Sequence, residues 1–282
     1  MKKILFAGAL TLAALQMNAE ESKVIRISTD QTDLILKVGE NGRLYQTYLG
    51  EKLLHEADVN RFSWDIHAGS DGSISQRGWE VYSGSGNEDY FEPAVAITHN
   101  DGNTSTYLYY VSSSTSPVEG GTQTTINLRD DKYPVDVTLH YVAYPKENVI
   151  KTWSEIKHQE KKPIILSTML YFCRSSYYLT EFSSDWAKEA RMSSQQLQFG
   201  KKVIDTKLGS RAAMHTHPFF EVGLDQPVSE NQGDVLMGTL GWTGNFRFTF
   251  EVDNAGNLRV IPAINPYASN YEMGPQLQPE GW

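Results

Sequence analysis

Phe246-Arg247-Phe248-Thr249-Phe250-Glu251-Val252 is followed by Asp253-Asn254-Ala255-Gly256-Asn257 and then by Leu258-Arg259-Val260-Ile261-Pro262-Ala263-Ile264. In the first stretch every second side chain is apolar. Successive side chains of a strand point to opposite faces, so this is a strand that buries one side only. The Asp/Asn/Gly run has turn chemistry, and the third stretch reads as the return strand of a hairpin.

The same period of two recurs outward from this hairpin. Leu34, Leu36 and Val38 alternate with Ile35 and Lys37 ahead of the turn Gly39-Glu40-Asn41-Gly42. Val135, Val137, Leu139 and Tyr141 share one face, with Asp136, Thr138 and His140 on the other. Further strands are expected over 106–111, 124–128, 149–156 and 164–172, separated by Gly, Pro, Asn and Asp. Many strands divided by turns predict an all-β sandwich or barrel. Two segments break the pattern. Residues 185–199 have helix propensity with poor apolar spacing, and Ser112 to Ser116 read as a polar turn. Residues 60–86 form the longest stretch without a strand pattern, and long ordered loops in compact domains often carry function.

The bulk properties narrow the function classes. A chain of 282 residues with 40% apolar content can build a sizeable core, as one large domain or two small ones. A formal charge of −9 argues against nucleic acid, because phosphate binding needs a basic patch. Lys161-Lys162 and Lys201-Lys202 are the adjacent basic pairs outside the first residues, and both read as solvated turns. Lys2 and Lys3, the apolar run from Ile4 to Leu15 and the small Ala19 before Glu20-Glu21 predict a signal peptide over 1–19. The run is too short for a membrane span. The expected mature domain is 20–282, periplasmic or secreted, with 23 basic against 34 acidic residues, a charge of −11, and no membrane attachment after cleavage. Cys173 is the single cysteine, so no intrachain disulfide exists, and its apolar setting predicts a buried, inert thiol.

Three groups of residues bear chemistry. His215-Thr216-His217 would share one face of a strand, with Glu221 as a possible third metal ligand. The spacing supplies no further ligand, so paired structural histidines are the expectation, with no metal and no cofactor. Glu88, Asp89 and Glu92 lie close in sequence, but a retaining glycosidase needs two carboxyl groups about 5 Å apart across the scissile bond, which proximity in sequence does not establish. Phe62, Trp64, Trp79, Tyr82 and Tyr90 lie in or beside the long loop. Aromatic rings stack on the apolar face of sugars, and they also close the ends of sandwich cores. There is no Gly-x-Ser-x-Gly elbow, Gly-rich phosphate loop or Cys-x-x-Cys pair.

A set of short motifs in fixed order resembles the amino-terminal domain of family 36 glycoside hydrolases. Gly86-Asn-Glu-Asp-Tyr-Phe-Glu-Pro-Ala94 is similar to the family's G-x-x-D-F-R-x-P-A. Val137-Thr-Leu-His-Tyr-Val-Ala-Tyr-Pro145, with Asn148-Val149-Ile150, is similar to its strand pair. Asp185-Trp186-Ala187-Lys188-Glu189 resembles its W-A-x-E segment, which is mostly extended there. Ser210-Arg211 and His215-Thr216-His217-Pro218-Phe219 resemble its S-R … H-Q-H-N-P-F tract. Gly241-Trp-Thr-Gly-Asn-Phe246, Ile264-Asn265-Pro266 and Leu277-Gln278-Pro279 complete the series. The family's arginine after D-F is Phe91 here, and its S-S-H-Q-H-N-P is reduced to Ala212-Ala213-Met214-His215-Thr216-His217-Pro218.

The resemblance implies a large antiparallel β-supersandwich of the galactose-mutarotase-like kind. In the family a (β/α)-barrel follows and carries both catalytic aspartates, in a K-W-D strand end and an S-C-S-G-G-G-G-R tract. Neither tract occurs in this sequence. The implied role is therefore that of the non-catalytic amino-terminal domain of an α-galactosidase, which supports oligomer assembly. Its expected partners are the catalytic barrel or neighbouring subunits, with α-galactoside oligosaccharides met weakly or indirectly. By the same resemblance, Asn60, Arg61, Phe62, Trp64, Arg77 and Asp89 are the candidate substrate-binding residues, in a loop that in relatives can reach a neighbouring active site. Three other readings stay open: a stand-alone carbohydrate-binding module, a mutarotase-like enzyme using His215 or His217 with Glu221, and a truncated gene product.

Overall fold

The computed structural model describes residues 23–61, 79–86, 92–159, 164–166, 170–254 and 256–267. Residues 1–22 lie outside this set, and with them the expected signal peptide. Among the described residues, no helix is long and apolar enough to cross a membrane.

The first half holds two four-stranded antiparallel sheets. One has the order β1 (Val24–Ser28), β2 (Thr32–Val38), β3 (Leu44–Glu51), β4 (Trp79–Glu80). The turn before β3 needs Gly42, whose φ of 76° lies in the left-handed region. A short strand, β5 (Val95–Ile97), follows. The second sheet is β6 (Leu108–Val118), β7 (Gly121–Asp130), β8 (Val135–Tyr144), β9 (Val149–His158). Val135, Val137, Leu139 and Tyr141 of β8 meet Ile25, Ile27, Leu34 and Leu36 in one core, as the alternation predicts. Ser112 to Ser116, expected to turn, instead extend β6. They form an edge strand whose bulge lies between Tyr110 and Ser112, and hydroxyl side chains suit an edge left to solvent.

The second half is a further sandwich. The expected strand over 164–172 divides into β10 (Ile164–Leu166), which pairs with β5, and β11 (Leu170–Cys173). The remaining strands are β12 (Tyr177–Ser183), β13 (Arg191–Gln196), β14 (Gly200–Asp205), β15 (Thr216–Leu224), β16 (Asp234–Thr239), β17 (Phe246–Val252) and β18 (Asn257–Ile264). They form the sheets β11-β18-β17-β14 and β13-β12-β15-β16. The hairpin from Phe246 to Ile264 is in register throughout, Phe246 opposite Ile264 and Val252 opposite Leu258. Its inward Phe246, Phe248 and Phe250 pack on Phe220, Val222 and Leu179. Phe220 meets Phe248 and Phe250 edge-on at 5.2 and 5.0 Å between centroids, the favoured geometry for aromatic quadrupoles.

The helix expected over 185–199 does not form. Residues 191–196 are β13, antiparallel to β12 from Tyr178–Gln196 to Ser183–Arg191. Pairing with β12 overrides local propensity, as it does whenever a segment of poor amphipathicity meets an open sheet edge. The two sandwiches lie side by side. Ile261 on the outer face of β18 belongs to the first core, and Leu49 of β3 packs against both cores. The whole is a large antiparallel β-supersandwich.

Candidate functional site

The long patternless segment is held at both ends. Its start is a short helix, α1 (Glu56–Arg61), which carries Asn60 and Arg61. Val59 pins the helix to the body, buried to 2% exposure, and Arg26 bonds both Glu56 (3.2 Å) and the Leu53 carbonyl (2.8 Å). Arg61 lies 3.8 Å from Asp58 at an exposed position. The far end is β4, where Tyr45 pairs with Glu80 and Gln46 with Trp79. The Glu80 carboxylate is gripped by Arg43, through Nε at 3.0 Å and through Nη2, with both side chains buried. Phe62, Trp64 and Arg77 lie between these anchors, outside the described residues.

Beyond β4 the chain threads a narrow slot. Ser85 N donates to Val95 O and accepts from Thr106 N through its carbonyl, both at 3.0 Å. A Cβ on Gly84 would stand 2.1 Å from the Thr106 carbonyl oxygen, so only glycine fits. Gly86 has φ +77° and turns the chain toward 87–91, where Glu88, Asp89 and Tyr90 lie outside the described residues. Tyr82, one of the five loop aromatics, is a core residue. It is 1% exposed and its hydroxyl meets Ser154 Oγ at 3.2 Å, so burial pushes its pKa up to about 12.

Glu92 brings the chain down onto the outer face of sheet β11-β18-β17-β14. Its amide donates to Glu251 Oε2 at 3.0 Å, and its carboxylate takes Lys201 Nζ at 2.8 Å. Lys201 also lies 3.8 Å from Glu251, and Arg247 lies 3.9 Å from Glu92. Arg259 pairs across the ladder with Glu251 and is 1% exposed. Burial raises the Glu251 pKa, against the Glu92 amide, Lys201 and Arg259, which favour the carboxylate. The sequence hint for this cluster was the polar face Arg247/Thr249/Glu251 of a strand in a protein with two cores: an outward face in one sandwich becomes a buried one against its neighbour.

The two histidines do not share a strand. His215 ends the 3-10 turn Gly209–Met214, and β15 begins at Thr216. Both rings instead converge on Ser184 in the loop between β12 and β13. His217 Nε2 lies 2.7 Å from Ser184 Oγ, and His215 Nδ1 lies 3.1 Å from the Ser184 carbonyl. Ser184 Oγ also accepts from the Ala190 amide at 2.8 Å. The pair therefore holds the loop that presents Trp186, which is 92% exposed. Glu221 lies further along β15, opposite Thr180 and Met237. Among the described residues no group of three or more His, Cys, Asp and Glu side chains is placed to hold a metal ion.

The named strands all pair antiparallel, as a large supersandwich. The model of the glycosyl hydrolase family 36 N-terminal domain matches residues 42–274, and the chain belongs to that family. It is 27% identical over 215 residues to the alpha-galactosidase AgaA of Geobacillus stearothermophilus, covering 70% of this chain and 29% of that protein. It is 22% identical over 283 residues to the alpha-galactosidase Mel36A of Lactobacillus acidophilus, covering 91% and 38%. The crystal structure of the Geobacillus AgaA superposes with a TM-score of 0.80 at 20% identity, over 91% of this chain and 39% of that one. The chain thus spans well under half the length of these relatives and corresponds to their amino-terminal part.

Proposed function

We propose that this domain has no hydrolytic chemistry of its own and serves a catalytic (β/α)-barrel or a neighbouring subunit that hydrolyses terminal α-galactosides with retention. One observation carries the reading. Exposed large apolar side chains follow one another around one end of the second sandwich. Trp186 sits in the loop held by His215; Met214 (53% exposed) precedes that histidine; Leu208 (44%) opens the same 3-10 turn; and Lys207 lies 5.3 Å over the ring of Tyr267 (54%). Met192 (67%) pairs with Phe182 just beyond the Trp186 loop. Exposed apolar side chains gathered at one end of a sandwich fit a surface that another unit covers.

In this reading Asn60, Arg61, Phe62, Trp64, Arg77 and Asp89 reach toward sugar bound at the partner's active site. The support is that the body anchors both ends of the segment from Asn60 to Arg77, through α1 and through the Arg43–Glu80 pair. Residues 1–19 direct the protein to the periplasm or outside, on the strength of Lys2, Lys3 and the apolar run after them. The test is co-expression with a family 36 catalytic barrel stripped of its own amino-terminal domain. A stable complex that turns over nitrophenyl α-galactoside, with KM raised by Trp64→Ala, is the expected result. A domain that stays a monodisperse monomer at high concentration and leaves the barrel unaffected contradicts the reading.

A further inference from the structure

A cleft of about 450 Å³ opens at the end of the second sandwich opposite the Trp186 loop. Strand β12 separates the two, with Tyr177 at the cleft and Ser183 at the loop, a distance of about 20 Å at 3.3 Å per residue. Three chain connections form its walls: Ser175-Ser176 before β12, Gln198-Phe199 between β13 and β14, and Asp253-Asn254 between β17 and β18. Phe199 is 75% exposed there, and Gly200 after it has φ +112°, which lets the chain turn away and leave the ring standing.

The walls are fixed before any ligand arrives. Asp225 Oδ1 accepts from the amides of Ser175 (2.8 Å) and Ser176 (3.3 Å), and the Asp225 amide donates to the Ser176 carbonyl. Tyr177 OH accepts from Arg174 N, and Leu197 N donates to Tyr177 O, both at 2.8 Å. Asp253 spends both carboxylate oxygens on Asn257, at 2.8 Å from its amide and 2.9 Å from its Nδ2. The one formal charge lining the cleft is therefore used inside its own turn. The hydroxyls of Ser175 and Ser176 and the amides of Gln196, Gln198 and Asn254 make no side-chain hydrogen bond among the described residues. Each is neutral and can both donate and accept, a hydroxyl through its O–H and its oxygen, an amide through its NH2 and its carbonyl oxygen.

A standing aromatic plate ringed by neutral groups that donate and accept matches one ligand chemistry. A pyranose offers an apolar C–H face to the ring and hydroxyls to the amides, with no charge to be paired. We propose that this cleft is a carbohydrate-binding site, with Phe199 as its stacking platform and Gln198, Gln196 and Asn254 as hydroxyl partners. It lies at the other end of β12 from the Trp186 loop, so it can hold a neutral oligosaccharide while that end is covered. The inference does not rest on the role proposed above.

The test is saturation-transfer NMR on the full chain with stachyose, cellotetraose and maltotetraose as probes. At least one probe should bind, with a dissociation constant on the order of 1 mM for so open a site. Phe199→Ala should weaken that binding at least tenfold with an unchanged melting temperature, Phe199→Trp should retain it, and Gln198→Ala should reduce it. Val111→Ala, which removes an exposed apolar side chain on β6, should leave it intact. Equal signal in wild type and Phe199→Ala, or no signal from any of the three probes, would each overturn the proposal.

Discussion

Arg43 and Glu80 form a buried two-point ion pair between the turn that opens β3 and the strand on which the long loop returns. Their side chains are only 5% and 8% exposed. A guanidinium fork on a carboxylate is the strongest ordinary side-chain contact, yet its net worth is small once both groups have lost water. Its consequence is positional. It fixes β4 against the sheet, and it does so from a position 37 residues earlier in the chain.

Removing the guanidinium takes an ion-pair partner from a buried carboxylate. Arg43→Ala should cost about 3–5 kcal/mol, read as a lowered urea midpoint. The double change Arg43→Met with Glu80→Leu should recover part of that loss, because the buried carboxylate is then removed as well. Equal losses in the single and double variants would show that the pair matters through packing alone.

The second core depends on one contact between a glycine and a ring. A Cβ on Gly238 would stand 2.3 Å from Cζ of Phe220, the ring that meets Phe248 and Phe250 edge-on. Gly238→Ala should therefore cost about 1–3 kcal/mol by overpacking, and Phe220→Ala about 3–5 kcal/mol by leaving a cavity. Introduced together, the two changes should cost less than their sum, since the added methyl enters the space the ring vacates. Strict additivity in denaturant melts would contradict this packing.

Much of this was legible in the sequence, and the reason is periodicity. The alternation of Phe246, Phe248 and Phe250 and the Asp253–Asn257 turn place a hairpin that the structure reproduces in register. Motifs in fixed order pointed to the family to which the chain belongs. The misreadings share one cause, which is that pairing partners are distant in sequence. Residues 191–196 have helix propensity and become a strand because β12 offers an open edge. Ser112 to Ser116 look like a turn and extend β6 because β7 runs alongside them. The meeting of His215 and His217 on Ser184, 31 and 33 residues away, has no local signal. Nor does the Phe199 cleft, whose three walls come from separate connections.

Glu251 gives the fold a pH signature. Burial raises its folded-state pKa above the ordinary carboxylate value of about 4.3. A carboxyl with a raised folded pKa costs no stability below the unfolded value. The cost grows as pH rises from that value through the folded one. Glu251→Gln keeps an acceptor for the Glu92 amide and removes the buried charge. Its melting temperature, compared with wild type between about pH 4 and about pH 8, should improve relative to wild type as pH rises and then level off. A variant that loses ground with rising pH would mean that Lys201 and Arg259 stabilise the carboxylate more than burial destabilises it.

The chain belongs to the glycosyl hydrolase family 36 N-terminal domain family, and we propose that it performs no hydrolysis by itself. That reading is tested most directly by assaying the purified chain alone against nitrophenyl α-galactoside. No release above the buffer rate is expected, since loss of a nucleophile from such an enzyme costs many orders of magnitude. Turnover that a single substitution in this chain abolishes, at Glu221 or Glu92 for example, would contradict it.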